Sequence, residues 1–302
     1  MSGTLWDSFD HLLEEAENHF LNFEFEKALE LWENYYRITA RTEYEKITKE
    51  LKSLWNQGHF TSVQSLQQLF QVFLDLRDRY TKRQISYYTY NLFKKLMVKI
   101  YQEQFHYTAH AEISLESGVF EYLIGHYDMA IEALKQVIQD QNEALIPRIF
   151  LGYSYIAIKE QQPATAILTQ NLFLAADELN EDDLYLSQFK LLLGRLFSRT
   201  SHRKEAAWLL PFESWYRNYL IIEEDEVFYR MMQEKERNER IMQVKYYSYE
   251  RYRHFVRSLF IAEYTRLFAK NEAGLIADQE DNMRKVDGPL FARYRRKRKA
   301  II

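Results

Sequence analysis

The sequence predicts an all-α fold built from paired helices, and two observations support this prediction. The 302 residues include only 8 glycines and 4 prolines, too few for the turns that a protein of many short strands requires. Small residues also recur 34 positions apart, as Gly118 with Gly152 and Ala130 with Ala164. A fixed period of this length is typical of stacked helical hairpins. We therefore expect long helices joined by short turns.

The cysteine count and the apolar content limit the class of protein. There is no cysteine, which excludes a disulfide framework, thiolate zinc sites and a cysteine nucleophile. Residues 1–15 are acidic and lack the apolar core of a secretory signal. The most apolar stretch, residues 144–158, contains Pro147 and Arg148 and is too short to span a bilayer. We expect a soluble, cytoplasmic protein without a transmembrane segment.

The first clear hairpin covers residues 111–144 and reads AEISLESGVFEYLIGHYDMAIEALKQVIQDQNEA. Gly118 takes the small position of its first helix, and Ala130 is the small residue of its second helix. Gly125 and Tyr127 stand at the turn between them. This unit resembles the tetratricopeptide repeat family. Two antiparallel helices cross closely at the small positions, because a larger side chain there would push the helix axes apart.

Two further hairpins follow the same pattern. The second unit runs from Leu145 to about Ala176, and the third follows an insertion of eight residues in the polar run 177–183. The matching positions are Leu151, Gly152, Tyr155 and Ala164 in the second unit, and Leu193, Gly194, Phe197 and Ala206 in the third. Pro211 is expected to end the last helix of the third unit. A weaker resemblance extends over residues 8–70.

The resemblance implies a tetratricopeptide-like, right-handed α-solenoid over residues 1–213. In residues 214–270 the hairpin pattern is lost, and a highly charged stretch precedes one that is rich in tyrosine and phenylalanine. We expect a long helical extension there, since a helix that is polar all round bridges solvent or pairs with a partner, as in a coiled coil. Whether it docks or extends stays open. Residues 271–302, framed by Gly274 and Gly288, are expected to form a basic, loosely ordered tail.

Resemblance to the family also implies a concave groove that binds a helix or an extended segment of a partner protein. The candidate groove residues are Leu115, Val119, Tyr122, Ile149, Tyr153, Ile156, Arg195 and Arg199. Some family members hold a peptide carboxylate through lysine and asparagine in this groove, but apolar or aromatic residues stand at those positions here. An exposed patch of this kind needs a cover. The cover is either a partner or the chain's own helix around residues 246–268.

Glu103, His106 and His110 form a weak candidate metal site. Offsets of 3 and 7 residues place them on one face of an α-helix, and two histidines with a carboxylate are ligands that iron or zinc accepts. The alternative is that these polar residues lie on a solvated helix by coincidence. No fourth ligand can be named, so we expect neither a metal nor any other cofactor.

Residues 293–299 carry six basic side chains in seven positions. These are Arg293, Arg295, Arg296, Lys297, Arg298 and Lys299. Such a run is able to contact nucleic acid, an acidic protein or an anionic membrane surface. The alternative is a solvated end without a function of its own.

The motifs of enzymes are missing from the sequence. It has no phosphate-binding loop, dinucleotide fingerprint, nucleophile elbow or HExxH pair. We therefore expect a non-enzymatic scaffold or adaptor that binds partner proteins in a multiprotein assembly. The alternative is an RNA- or ribosome-associated factor that uses the basic tail, and a ligand-gated regulator ranks third.

Overall fold

In the computed structural model, the described part of the chain consists of helices joined by turns and loops and contains no strand. The described residues are 7–39, 42–57, 60, 62–109, 113–241, 248–269 and 272–301. They fall into two compact units, Met1–Gly125 and His126–Ile302. Among the described helices, none combines the length and the apolar character that crossing a bilayer requires.

The first unit pairs helices that follow each other in the chain. Its helices are α1 (Asp7–Leu21), α2 (Phe25–Thr39), α3 (Thr42–Gln57), α4 (Leu66–Thr81), α5 (Tyr87–Ile100), α6 (His106–Ala109) and α7 (Leu115–Ile124), with a π-helical turn at Tyr101–Phe105 between α5 and α6. Helix α1 packs on α2, α2 on α3, and α4 on α5.

Aromatic side chains fill the core of this unit. The ring of Phe20 lies 5.8 Å from that of Trp32 and 5.1 Å from that of Phe93, each nearly edge to face. The ring of Phe25 stacks on that of Trp55 at 4.4 Å. Such pairs add about 0.5–1.5 kcal/mol each to the effect of area burial, so they hold α1, α2, α3 and α5 together.

The second unit contains nine helices in its described part. They are α8 (Tyr127–Asp140), α9 (Leu145–Ala157), α10 (Gln161–Ala175), α11 (Ser187–Phe197), α12 (Arg203–Tyr216), α13 (Glu226–Ile241), α14 (Ser248–Phe268), α15 (Ala273–Val286) and α16 (Gly288–Ile301), and a 3₁₀ turn follows α10 at Ala176–Glu178. Consecutive helices pack as pairs, most extensively α14 with α15 and α9 with α10.

Several helices end on one kind of turn, in which a residue takes a left-handed conformation. Phe23, Arg83, Lys159 and Asn218 have φ of 62°, 58°, 66° and 59°. In each turn the next backbone N–H donates to the carbonyl five residues earlier, as from Glu24 to His19 and from Glu160 to Tyr155. This bonding pattern is the Schellman motif, which usually takes glycine. At these four positions the chain therefore makes tight turns without glycine, at about 1–2 kcal/mol of strain per residue.

Helix α14 lies in the core of the second unit. Phe255, Leu259 and Ala262 are fully buried, and α12, α13 and α15 pack around the helix. The expectation of a long extension left open whether this segment docks, and the structure places it as the central helix. The many polar residues of this segment suggested a helix that faces solvent, but several of them are buried within the second unit.

The structure also differs from the expected loosely ordered tail. Residues 273–286 and 288–301 form α15 and α16, and Met283 and Tyr294 are fully buried. Helix α12 similarly passes through Pro211 and continues to Tyr216, although proline was expected to end it. Proline removes one helical hydrogen bond there, but the residues after it, Phe212 and Trp215, are buried in the core and hold the last turn in place.

Candidate functional site

A hydrophobic cluster joins the two hairpins α9–α10 and α11–α12. Its buried members are Ile149, Leu168, Leu172, Leu179, Leu184, Leu186, Phe189, Leu192, Leu193, Leu196, Ala206 and Leu210. Tyr153 and Ile156 of α9 pack against this cluster and are partly buried. The cluster decides which of the expected groove residues reach solvent.

Two of the expected groove residues belong to the core instead. Val119 in the first unit and Ile149 in the second are buried, so neither can contact a partner. Leu115 and Tyr122 in the first unit are half-buried, as are Tyr153 and Ile156 in the second. The assignment of Val119 and Ile149 to an open groove is therefore wrong.

The segment inserted before α11 supplies the physical reason in the second unit. The run 177–183 was expected to be polar, but Leu179 within it and Leu184 and Leu186 just after it are buried in the cluster that contains Ile149. Asp183 is buried as well, and it accepts hydrogen bonds from the Tyr153 hydroxyl at 3.0 Å and from the Asn180 backbone N–H at 2.9 Å. The insertion therefore covers α9.

Tyr185 completes this cover by packing against Gly152. A Cβ atom added to Gly152 would lie 2.5 Å from Cζ and 2.7 Å from Cε1 of Tyr185. The Tyr185 hydroxyl donates to the carbonyl of Ala164 at 2.7 Å, and burial raises the pKa of this hydroxyl well above its usual value. The close approach that requires glycine thus involves a tyrosine ring and not a second helix.

The exposed groove residues lie at the end of α11 and in the turn that follows it. Leu191 and Arg195 of α11 are exposed one helical turn apart, Leu191 with 66% of its surface in solvent, and Ser198 and Arg199 are exposed in the turn. Within the described part of the chain, neither guanidinium forms an ion pair. We call these four residues the α11 surface. It contains Arg195 and Arg199, the two expected groove residues that are exposed.

The structure separates two of the three candidate metal ligands, and the third, His110, lies outside the described residues. Glu103 is exposed and pairs with Lys99 at 3.7 Å, whereas Nε2 of His106 lies 3.8 Å from Oε1 of the buried Glu121. The π-helical turn at Tyr101–Phe105 explains the difference. It winds more slowly than an α-helix, so residues three positions apart do not share a face.

Glu121 also accepts a hydrogen bond from the buried Tyr101 hydroxyl at 2.6 Å. Burial, followed by this bond to a carboxylate, raises the pKa of Tyr101 far above its usual value. The hydroxyl therefore stays protonated and acts as a donor that holds α7 on the turn after α5. The arrangement is a structural hydrogen bond in the first unit.

The basic run lies on α16, where much of its charge faces acidic side chains of the second unit. Arg293 pairs with Glu213, Arg295 with Glu280 and Arg298 with Glu263. Lys297 donates to the carbonyl of Trp215. Arg296 and Lys299 are exposed, and in the described part of the chain they make no ion pair.

A charged cluster between α13 and α14 was missed in the sequence. Glu239 lies 3.1 Å from Nε of Arg253 and 3.6 Å from Nε2 of His254, and it also pairs with Arg257. His254 and Arg257 are buried. Burial lowers the pKa of His254, Glu239 opposes this shift, and Arg253 and Arg257 reinforce it. The sequence feature that could have indicated this cluster is the position of these basic residues within the apolar part of α14.

We expect the free energy of unfolding to fall as the pH drops below 6.5, the pKa of an unperturbed histidine. The folded chain holds His254 neutral, so the unfolded chain binds the proton more readily. Stability that is fully present above pH 6.5 is therefore lost below it, by at most about 1.4 kcal/mol per pH unit. Urea unfolding of the wild type and of His254→Gln on both sides of this pH measures the effect.

His202→Gln is the matched control, because His202 is exposed. It should keep the pH dependence of the wild type, whereas His254→Gln should flatten it. The same slope in all three proteins would show that another group titrates.

No protein-family model matches this chain, and no curated protein or solved structure matches it either.

Proposed function

We propose that this chain is a non-enzymatic scaffold or adaptor that binds a segment of a partner protein on the α11 surface. The observation that carries the proposal is Leu191, a large apolar side chain that is two-thirds exposed on the same helix as the exposed Arg195. Monomeric proteins expose single apolar residues often, but here Arg195 and Arg199 stand beside it without a carboxylate partner among the described residues. A surface of this kind suits an acidic segment with one apolar anchor.

We also propose that the hairpins stack as a right-handed, tetratricopeptide-like solenoid that displays this surface rigidly. Short turns between packed consecutive helices support the proposal, as do the repeated Schellman stops at α1, α4, α9 and α12. A rigid platform lowers the entropy that a partner loses on binding. The absence of cysteine fits a cytoplasmic setting for such an assembly.

The test exchanges the charge and the polarity of the α11 surface. We expect the double variant Leu191→Glu with Arg195→Glu to lose at least tenfold in affinity for the partner, because each change removes a favourable contact and adds repulsion against an acidic segment. The measurement is crosslinking and affinity purification from native cells, with each captured protein quantified against the wild type.

Val227→Glu with Arg230→Glu on α13 is the matched control, since Val227 and Arg230 are also an exposed apolar and basic pair of the same unit. This control should retain the partners. Both double variants must keep the unfolding curve of the wild type. If the α11 variant stays folded and retains every partner, the α11 surface is not the binding site.

The alternative function, binding of RNA or of a ribosome through the basic run, has less support. Arg293, Arg295 and Arg298 face carboxylates of their own chain, which leaves Arg296 and Lys299 in the same run as the accessible charges. Two phosphate contacts predict a weak salt dependence of binding. The logarithm of the binding constant should fall with the logarithm of the salt concentration at a slope of about −1.4 to −1.8. A much steeper slope would favour the alternative and would require α16 to change its position.

A further inference from the structure

Helix α16 contacts its own unit through long side chains and one aromatic anchor. Tyr294 is fully buried, with its ring 5.2 Å from that of Trp215 on α12 and its hydroxyl 3.3 Å from Oε1 of Glu263 on α14. The backbone of α16 packs mainly on α15. Its attachment to α12 and α14 therefore depends on side chains that reach across.

Three arginines of α16 each pair with a carboxylate on a different helix. These pairs are Arg293 with Glu213 of α12 at 2.5 Å, Arg295 with Glu280 of α15 at 2.9 Å, and Arg298 with Glu263 of α14 at 3.4 Å. Each arginine keeps between 25% and 51% of its side-chain surface in solvent. Salt weakens ion pairs that solvent reaches, so these contacts respond to ionic strength.

Aromatic rings of α12 also contact two of the cations on this face of α16. Nζ of Lys297 lies 4.0 Å from the centre of the Trp215 ring, and the Arg293 guanidinium lies 5.0 Å from the Phe212 ring and 4.9 Å from the Tyr216 ring. Such cation–π contacts are strongest where the cation has lost water. The ammonium group of Lys297 loses part of its hydration beside the indole, and this burial lowers its pKa to about 8.

We propose that α16 is a displaceable internal ligand of an acidic seam, and that a polyanion is the kind of partner that displaces it. The seam consists of Glu213, Trp215, Glu263 and Glu280. In the docked state the seam pairs with three of the six cations through its carboxylates, and the Trp215 ring contacts a fourth. In the released state all six cations in seven positions become free to bind phosphate groups. The helix thus acts as an electrostatic latch. This inference concerns a face other than the α11 surface and stands without it.

Hydrogen exchange of the full chain at two salt concentrations tests the latch. Raising the salt from about 0.1 M to about 1 M shortens the screening length from about 10 Å to about 3 Å. We expect the backbone amides of residues 288–301 to exchange at least about tenfold faster at high salt, while those of residues 255–264 keep their rates. Equal rates at both salt concentrations would overturn the proposal, and so would parallel loss of protection in both segments.

Variants of one ion pair identify the cause of the opening. Glu213→Gln should release α16 at a lower salt concentration, and Arg293→Gln should have the same effect. The double variant should match Arg293→Gln, because that change already removes the ion pair that Glu213→Gln breaks. Asp281→Asn is the control, since Asp281 pairs with Arg284 and Lys285 of its own helix. Release by Asp281→Asn to the same extent would show a non-specific charge effect and would overturn the assignment.

Long-chain inorganic polyphosphate at low salt tests the partner class. We expect it to bind and to speed exchange in residues 288–301 as high salt does. Binding that leaves these amides protected would show that the polyanion uses exposed cations such as Arg296 and Lys299 without displacing α16. That result, or an absence of binding, would overturn the role of the polyanion.

Discussion

Replacing Gly152 with alanine should destabilise the fold by about 2–3 kcal/mol, although alanine is the better helix former. In an open helix position the change would stabilise by about 1 kcal/mol. Here the new Cβ would lie 2.5 Å from Cζ of Tyr185, so the ring must leave its site. Its departure breaks the hydrogen bond to the Ala164 carbonyl and opens the cover of α9. Urea unfolding measures the difference.

Gly194→Ala is the matched control, because the same substitution on α11 meets no atom within 4 Å. This change should stabilise by about 0.5–1 kcal/mol, so the two glycines give opposite signs. In a Tyr185→Ala background, Gly152→Ala should lose its penalty because the space is then empty. A penalty that persists there would mean that the strain has another source.

The different surroundings of the two glycines show how far the repeat pattern predicts structure. The repeat pattern correctly predicted paired helices at α9–α10 and, after an insertion of eight residues, at α11–α12. It also predicted a close helix crossing at both glycines, but Gly194 is exposed with open space beside it. A period fixes the spacing of helices, whereas the atom that fills each small position depends on tertiary packing.

The hairpin turns were predicted in position but not in conformation. Lys159, in the turn between α9 and α10, has a φ of 66°. A glycine count of 8 suggested few left-handed residues, because φ above zero is disfavoured by about 1–2 kcal/mol for other residues. Packing of the following helix compensates for that strain, and no local signal in the sequence reports such compensation.

The candidate site was predicted only in part, because local sequence patterns do not report tertiary packing. Arg195 and Arg199 were expected in a groove and are exposed, and Leu191 on the same helix as Arg195 is exposed as well. Ile149 was assigned to the same groove, but it is buried under the segment before α11. The leucines of that segment flank a run of acidic residues, so the segment was expected to be polar. Periodicity identifies the face of a helix, but it does not say what lies above that face.

Removing the carboxylate of Glu263 should have the largest effect of any single change on α14, about 3–5 kcal/mol. Glu263 is buried and accepts hydrogen bonds from donors on α12, α14 and α16. These donors are Nε1 of Trp215 at 3.3 Å, Arg266 at 2.6 Å, the Tyr294 hydroxyl at 3.3 Å and Arg298 at 3.4 Å. Glu263→Ala leaves four polar groups without this acceptor, and the indole N–H and the tyrosine hydroxyl are buried.

Glu263→Gln separates charge from hydrogen bonding. The amide oxygen still accepts from one donor, but the charge is lost and the NH₂ group faces other donors, so we expect about half of the alanine penalty. Glu226→Ala is the control, since Glu226 pairs with Arg230 and both side chains are more than 70% exposed. It should change the free energy of unfolding by less than about 0.5 kcal/mol. If Glu263→Ala costs no more than this control, the carboxylate does not hold α12, α14 and α16 together. An acceptor that several donors share in the core cannot otherwise be removed without a large loss of free energy of unfolding.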